Sequence, residues 1–192
     1  NFLDADVAIK ILRRFKQLYH NENISTIIKH ANPTGVAKAK TTLESYRTAW
    51  DCDSLSAFGG VVGFSDVVDE EVAKDLSQKF VEVLVAPDYE AKALEILDKK
   101  KDLRIIKIES LEKPLLDDGF EYRSVQGGIL VQQRFQSKID SEVNLEVVSK
   151  RQPEKKDMDA AIFNWAVLPF VDSNAIVIGD ENKTLGIGSG QR

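Results

Sequence analysis

Residues 25–37 read STIIKHANPTGVA, an apolar run that ends in a lysine and a histidine and then meets turn-forming residues. The β-branched composition of Ser-Thr-Ile-Ile is that of a strand. Asn32-Pro33-Thr34-Gly35 carries Asn first, Pro second and Gly fourth, the pattern of a type I turn. The reading therefore ends a strand near His30 and places the turn at residues 32–35. A buried strand gains nothing from ending in a cation and a titratable ring, so the pair is a candidate for chemistry. Histidine, with an unperturbed pKa of about 6.5, suits proton abstraction, and an adjacent ammonium stabilises developing negative charge or protonates a leaving nitrogen. Neighbouring strand residues face opposite ways, so Lys29 and His30 converge on one substrate only where the backbone leaves extended geometry. The competing reading is a solvated strand end.

The segments on either side alternate in type. Residues 4–18 place Val7, Ile11, Phe15 and Leu18 on one helical face, with Asp4 as the expected cap and Asp6 in the first turn. Residues 41–51 set Leu43, Tyr46 and Trp50 at helical spacing, and residues 59–65, GGVVGFS, read as a strand. In residues 69–80 Asp69 caps a helix whose Val72, Leu76 and Phe80 share a face. Strands follow at 81–87 and 103–109, around a helix at 89–101 with lysines at its end. Residues 110–124 are expected to be looped. Residues 127–133 read as a strand, 157–168 as a helix stopped by Pro169, and 174–180 as a buried strand. A turn at 181–183 leads to TLGIGSG. Short apolar strands alternating with helices imply an α/β domain with a mostly parallel or mixed sheet covered by helices on both sides. Ligands gather beyond the carboxyl ends of the strands in such sheets.

The 192 residues suit one domain or two small ones; 43% are hydrophobic and 30% charged, as in ordinary globular proteins. The net charge of −5 argues against a nucleic-acid or membrane-surface protein. Cys52 is the single cysteine, so an intrachain disulfide and a Cys-rich zinc site are excluded. Without a signal peptide or an apolar run of about 18 residues, a reducing cytoplasm is the expectation. The chain opens at Asn1 and stops in a glycine-rich segment, which we read as a piece of a longer polypeptide.

Further positions carry functional and structural readings side by side. Phe58 precedes Gly59-Gly60 at a strand entrance, where glycines allow close backbone approach and an aromatic can stack on a flat ring; equally, it is a loop with a core Phe. Glu82 interrupts the apolar run 80–86 as a site acid, an ion-pair member or an exposed strand start. Asn174, before a strand, can donate to a carbonyl oxygen or cap the preceding helical region. GIGSG has the wrong spacing for a dinucleotide fingerprint. His20 is read as a partner for the C-terminal dipole of the first helix.

Taken in order, NFLDADVA (1–8), IIKHANPTGVA (27–37), SAFGGVVGF (56–64), FVEVLVAP (80–87), GGILVQ (127–132), VVSKRQP (147–153), FVDSNAIVI (170–178) and GIGSGQ (186–191) resemble the AICAR transformylase domain of the bifunctional purine biosynthesis family. The resemblance spans essentially all of residues 1–192, as the N-terminal portion of that domain, and KHANP and SNAI are its specific parts. It implies a cytidine deaminase-like fold without that fold's zinc, and formyl transfer from 10-formyltetrahydrofolate to AICAR in IMP synthesis. By the same resemblance His30 is the base on the attacking amine, Lys29 assists charge development or proton delivery, and Asn174 orients the formyl oxygen. Phe58, Gly59 and Glu82 contact substrate, with Glu82 the least secure because some relatives carry Asp there. A homodimer and bound potassium are further implications. The cyclohydrolase domain and the second half of the transformylase are not within these residues, so the chain alone is expected to be inactive or weak. Two other classes stay open: a non-catalytic dimerisation or nucleotide-binding module, and an NAD-type domain resting on GIGSG.

Overall fold

The structure, a computed structural model, describes residues 1–112, 119–133 and 145–190. Its central feature is a five-stranded sheet of order β2-β1-β3-β4-β5. The strands are β1 (Asn23–Lys29), β2 (Asn32–Ala39), β3 (Gly60–Phe64), β4 (Val81–Ala86) and β5 (Arg104–Lys107). β3, β4 and β5 are mutually parallel, β1 runs antiparallel to β3, and β2 runs antiparallel to β1. Four strands thus point one way and β1 alone points back. The sheet is mixed, as the alternation of elements implied.

Helices cover both faces because the strand residues alternate between two apolar clusters. One face buries Ile27, Val62, Phe64, Leu84 and Ala86. They pack with α2 (Thr42–Cys52), α4 (Glu70–Ser77) and α5 (Ala91–Leu97). The other buries Ile24, Ile28, Val61, Val83 and Val85 beneath α1 (Phe2–Leu18) and α6 (Lys155–Val167). Each fully buried aliphatic side chain contributes about 1.5–3 kcal/mol. Gly35 is required where α2 crosses β2: a Cβ there would lie 2.0 Å from the Ala49 carbonyl oxygen.

Several local expectations change. Residues 32–35 do not form the turn; they open β2, and the turn is the two-residue loop His30-Ala31 between paired Lys29 and Asn32. Both loop residues have positive φ, 52° and 59°, which is the type I′ hairpin whose twist matches that of paired strands. Pro33 is accommodated because β2 is the last strand of this sheet. Asp4 does not cap α1; Asn1 occupies the cap position, and Asp4 lies in the first turn. Asp69 does cap α4, accepting from the Val72 N–H at 2.8 Å. Phe80 lies beyond the end of α4 and is exposed. α5 ends at Leu97, before its lysines. Lys100 instead reaches back to donate to the Ser77 and Lys79 carbonyls at 2.9 and 2.7 Å, just past the C-terminus of α4.

Within the stretch expected to be looped, β6 (Phe120–Val125) pairs antiparallel with β7 (Gly128–Gln133); residues 113–118 of that stretch lie outside the described residues. α6 gives way at Leu168 to one 3₁₀ turn containing Pro169. β8 (Ile176–Gly179) is a partly exposed strand, not a buried one, paired with β9 (Thr184–Gly188). Gly186 and Gly188 of GIGSG lie in β9, so that segment is a strand of a ribbon and not a phosphate-binding turn. The remaining part of GIGSGQ, Gln191, lies outside the described residues.

Candidate active site

Because β1 runs against its neighbours, its carboxyl end meets the amino ends of β3 and β4. The candidate residues collect there, and not at the carboxyl ends of the parallel strands as the general rule for such sheets led us to expect. Lys29, the last residue of β1, shares a face with Ser25 and Ile27. Its Nζ donates to the Phe58 and Gly59 carbonyls, both at 2.9 Å. Those carbonyls follow the four-residue helix α3 (Ser54–Ala57), which Asp53 caps through the Ser56 N–H. Gly59 has φ 66°, and its N–H donates to the Phe80 carbonyl at 2.9 Å. A Cβ at Gly59 would sit 3.1 Å from both Lys29 Nζ and Phe80 Cε1. Glycine at 59 therefore supplies both the left-handed backbone and the space for the ammonium.

Phe58 is not a core residue. It is 62% exposed and its ring packs against that of Phe80, tilted by 37°, at 5.0 Å between centroids. An uncovered aromatic pair beside a fixed ammonium is a surface on which a flat heterocycle can lie. Glu82, second residue of β4 and not its first, accepts a hydrogen bond from Asn1 Nδ2 at 2.8 Å, so it is tied to the start of α1, and among the described residues it forms no ion pair. His30 is exposed at the turn, and its imidazole has no hydrogen-bond partner among the described residues. Asn174 is likewise exposed and caps no helix. It lies two residues beyond Asp172, which is hydrogen-bonded to Asn32 next to the turn, with Asn32 Nδ2 to Asp172 Oδ2 at 2.9 Å. Lys29, His30, Phe58 and Gly59 thus belong to one strand end. Glu82 is near it on β4, and Asn174 is linked to it through Asp172.

The other end of the sheet holds a cleft of about 580 Å³. It is lined by Arg13 and Lys16 of α1, by His20 just past its end, and by Asp66, Glu109 and Glu112 beyond β3 and β5. Both charge signs are present, and Lys16 is already committed to Asp66 at 3.2 Å. None of the residues proposed from the sequence lines it.

The family model of the AICARFT/IMPCHase bienzyme matches residues 1–192. The chain belongs to the AICARFT/IMPCHase family. Among curated relatives, the bifunctional purine biosynthesis protein PurH of Caldicellulosiruptor bescii is 42% identical over 191 residues, covering 100% of this chain and 36% of the relative. The PurH of Aquifex aeolicus is 40% identical over 190 residues, covering 99% and 35%. The chain thus spans about a third of the length of these AICARFT/IMPCHase relatives. Among solved structures, a putative formate dehydrogenase accessory protein from Desulfotalea psychrophila aligns with a TM-score of 0.44 and 6% identity over 66% of this chain and 56% of its own.

For this AICARFT/IMPCHase chain, sequence reasoning missed four residues around the strand end: Asn1, Asp4, Asn32 and Phe80. The first three act through partners 81, 27 and 140 positions away, a separation that no local pattern encodes. Phe80 carried a signal, since it follows the helical face by one turn and directly precedes β4. Among the described residues, no three His, Cys, Asp or Glu side chains are grouped to hold a metal ion. A potassium site would need carbonyl and hydroxyl oxygens, and we assign none.

Proposed function

We propose that this chain is the N-terminal portion of an AICAR transformylase domain, and that the longer polypeptide containing it formylates AICAR with 10-formyltetrahydrofolate. The observation that carries the reading is the Lys29 ammonium held between two carbonyls, next to an exposed His30 turn and the Phe58-Phe80 ring pair. In the proposed reaction the AICAR 5-amino nitrogen attacks the formyl carbon. A C–N bond forms, the bond from the formyl carbon to the folate nitrogen breaks, and tetrahydrofolate departs. His30 takes the proton lost by the amine. Lys29 has three N–H donors, and two are used on Phe58 and Gly59; the third supplies the departing nitrogen. Asn174 donates to the formyl oxygen as negative charge builds there. Phe58 and Gly59 pack the aminoimidazole ring, and Glu82 contacts substrate from β4.

An aminoimidazole amine is a weak nucleophile, so removing its proton and stabilising the resulting charge are the tasks that matter, and this set of groups suits both. The same reading takes the fold as cytidine deaminase-like, the enzyme as a cytoplasmic homodimer with bound potassium, and IMP cyclohydrolase as its second activity. It involves no nucleic acid and no membrane. Among the described residues no helix is long and apolar enough to cross a membrane.

Formyl transfer should be measured for the longer polypeptide, its His30→Ala variant and the 192-residue chain alone. A loss of about 10²–10⁴-fold on removing the base is expected, together with little or no turnover by the chain alone. Equal rates for the longer polypeptide and its His30→Ala variant would overturn the catalytic reading and favour a non-catalytic module. Full turnover by the 192-residue chain would overturn the claim that it needs the rest.

A further inference from the structure

We propose that Asp4 and Asp172 are positioning residues that hold the His30 turn and set its spacing to Asn174; this rests on the catalytic reading of His30 and Asn174. A type I′ turn requires positive φ at both central residues and is ordinarily filled by Asn-Gly. Here it is filled by His30 and Ala31, each of which pays a steric cost in the left-handed region. Such a turn persists only if its surroundings hold it.

Three sets of contacts do so. From the first turn of α1, Asp4 Oδ1 accepts the Ala31 N–H at 2.7 Å, a charge-assisted bond. From the first residue of β2, Asn32 Nδ2 donates to the His30 carbonyl at 3.1 Å. The Asn32 amide is in turn clamped by Asp172: Nδ2 donates to Asp172 Oδ2, and the Asp172 N–H donates to Asn32 Oδ1, both at 2.9 Å. Asp172 is itself fixed from the far side, where its carbonyl accepts the Gly190 N–H at 3.0 Å.

The Asn32 amide thus uses both kinds of its hydrogen-bonding capacity on two segments at once. One is the turn that presents His30; the other is the segment that presents Asn174 two residues later. The separation of the imidazole from the carboxamide is therefore set by one reciprocal pair spanning 140 positions. Such a pair affects how well the reacting atoms are aligned and leaves substrate affinity nearly untouched. A staple serving stability alone would lower unfolding resistance without this asymmetry.

The test compares Asp172→Ala and Asp4→Ala with Asp172→Asn and Asp4→Asn, which retain an oxygen acceptor, in the longer polypeptide. The Ala variants are expected to lose about tenfold in kcat with KM for both substrates within about twofold. The Asn variants should stay within about threefold of the unaltered enzyme. Unchanged kcat in Asp172→Ala, or an equal loss in its Asn counterpart, would overturn the proposal, as would an effect confined to KM. A second readout does not depend on activity: with His and Asn selectively labelled, the NMR signals of His30 and Asn174 should both move in Asp172→Ala. Only that of His30 should move in Asp4→Ala. If the unaltered enzyme transfers no formyl group, the catalytic reading fails by itself. The geometric claim is then decided by the NMR arm, where an unmoved Asn174 in Asp172→Ala would refute it.

Discussion

Ala31 sits at φ 59° beside His30 at 52°, and its N–H, not its methyl group, makes the contact that holds it. A left-handed non-glycine residue costs about 1–2 kcal/mol, whereas glycine there costs about 0.5–1 kcal/mol in unfolded-state entropy. Ala31→Gly should accordingly raise the unfolding free energy by about 0.5 kcal/mol, read from urea denaturation. A loss of stability would show that the methyl group packs usefully and that the turn is less strained than its dihedral angles imply. Lys29 shows a different aspect of the same strand end. Its position was evident from the apolar run before it, but its two acceptors belong to residues 58 and 59, and only the pairing of β1 with β3 brings them within reach.

The helices over the Tyr46 face are joined by charge as well as by packing. Arg47 of α2 reaches Asp75 of α4, with Nη2 to Oδ1 at 2.7 Å, and Lys79 lies 2.8 Å from Oδ2. The Lys79 ammonium also stands 4.5 Å from the Tyr46 ring centroid and 4.7 Å from that of Trp50. Burial alone would raise the Asp75 carboxyl, but the cationic partners Lys79 and Arg47 outweigh it and hold the group below the usual carboxylate range. A carboxylate depressed in the folded state contributes stability above its unfolded pKa of about 3.9, and the contribution is lost as pH falls through the folded value. Asp75→Asn should therefore be less stable near neutrality and show a flatter decline below about pH 4. Denaturation midpoints across an acid series would check it; parallel curves for the two proteins would contradict it. That α4 begins at Asp69 was evident in the sequence, since a capping acid followed by two glutamates leaves little choice. That Lys100 closes the other end was not, because its carbonyl partners are 21 to 24 positions away.

Across the molecule, the separate ribbon of β8 and β9 is tied to the edge strand β2 by the buried Thr184 side chain and by a backbone contact. Thr184 Oγ1 accepts the Val36 N–H at 3.0 Å, and the Lys38 N–H donates to the Asn182 carbonyl at 2.8 Å. Thr184→Val should leave the buried Val36 N–H without an acceptor, at about 1–3 kcal/mol, and hydrogen exchange of the ribbon amides should accelerate more than that of β3 and β4. Uniform acceleration would mean that the ribbon is not tied down by this contact. Strands β3 and β4 and helices α1, α2 and α4 were evident from pattern alone, since a strand buried on both faces must be apolar throughout and a covering helix must repeat every three to four residues. β2 was misread because Asn-Pro-Thr-Gly satisfies the chemistry of a turn as well as it fits an edge strand, and β6 because its alternation is weak. The chain's own residues settled the class of fold, the start of α4 and the place of Lys29 and His30 at a strand end, because periodicity and capping act over a few positions. Which end of the sheet gathers the candidate groups, the left-handed turn under His30, and the links from Asn32 to Asp172 and from Asn1 to Glu82 depend on the reversed direction of β1 and on contacts between distant segments. Those arise only when the chain has packed, since the partners that fix them lie 27 to 140 positions away.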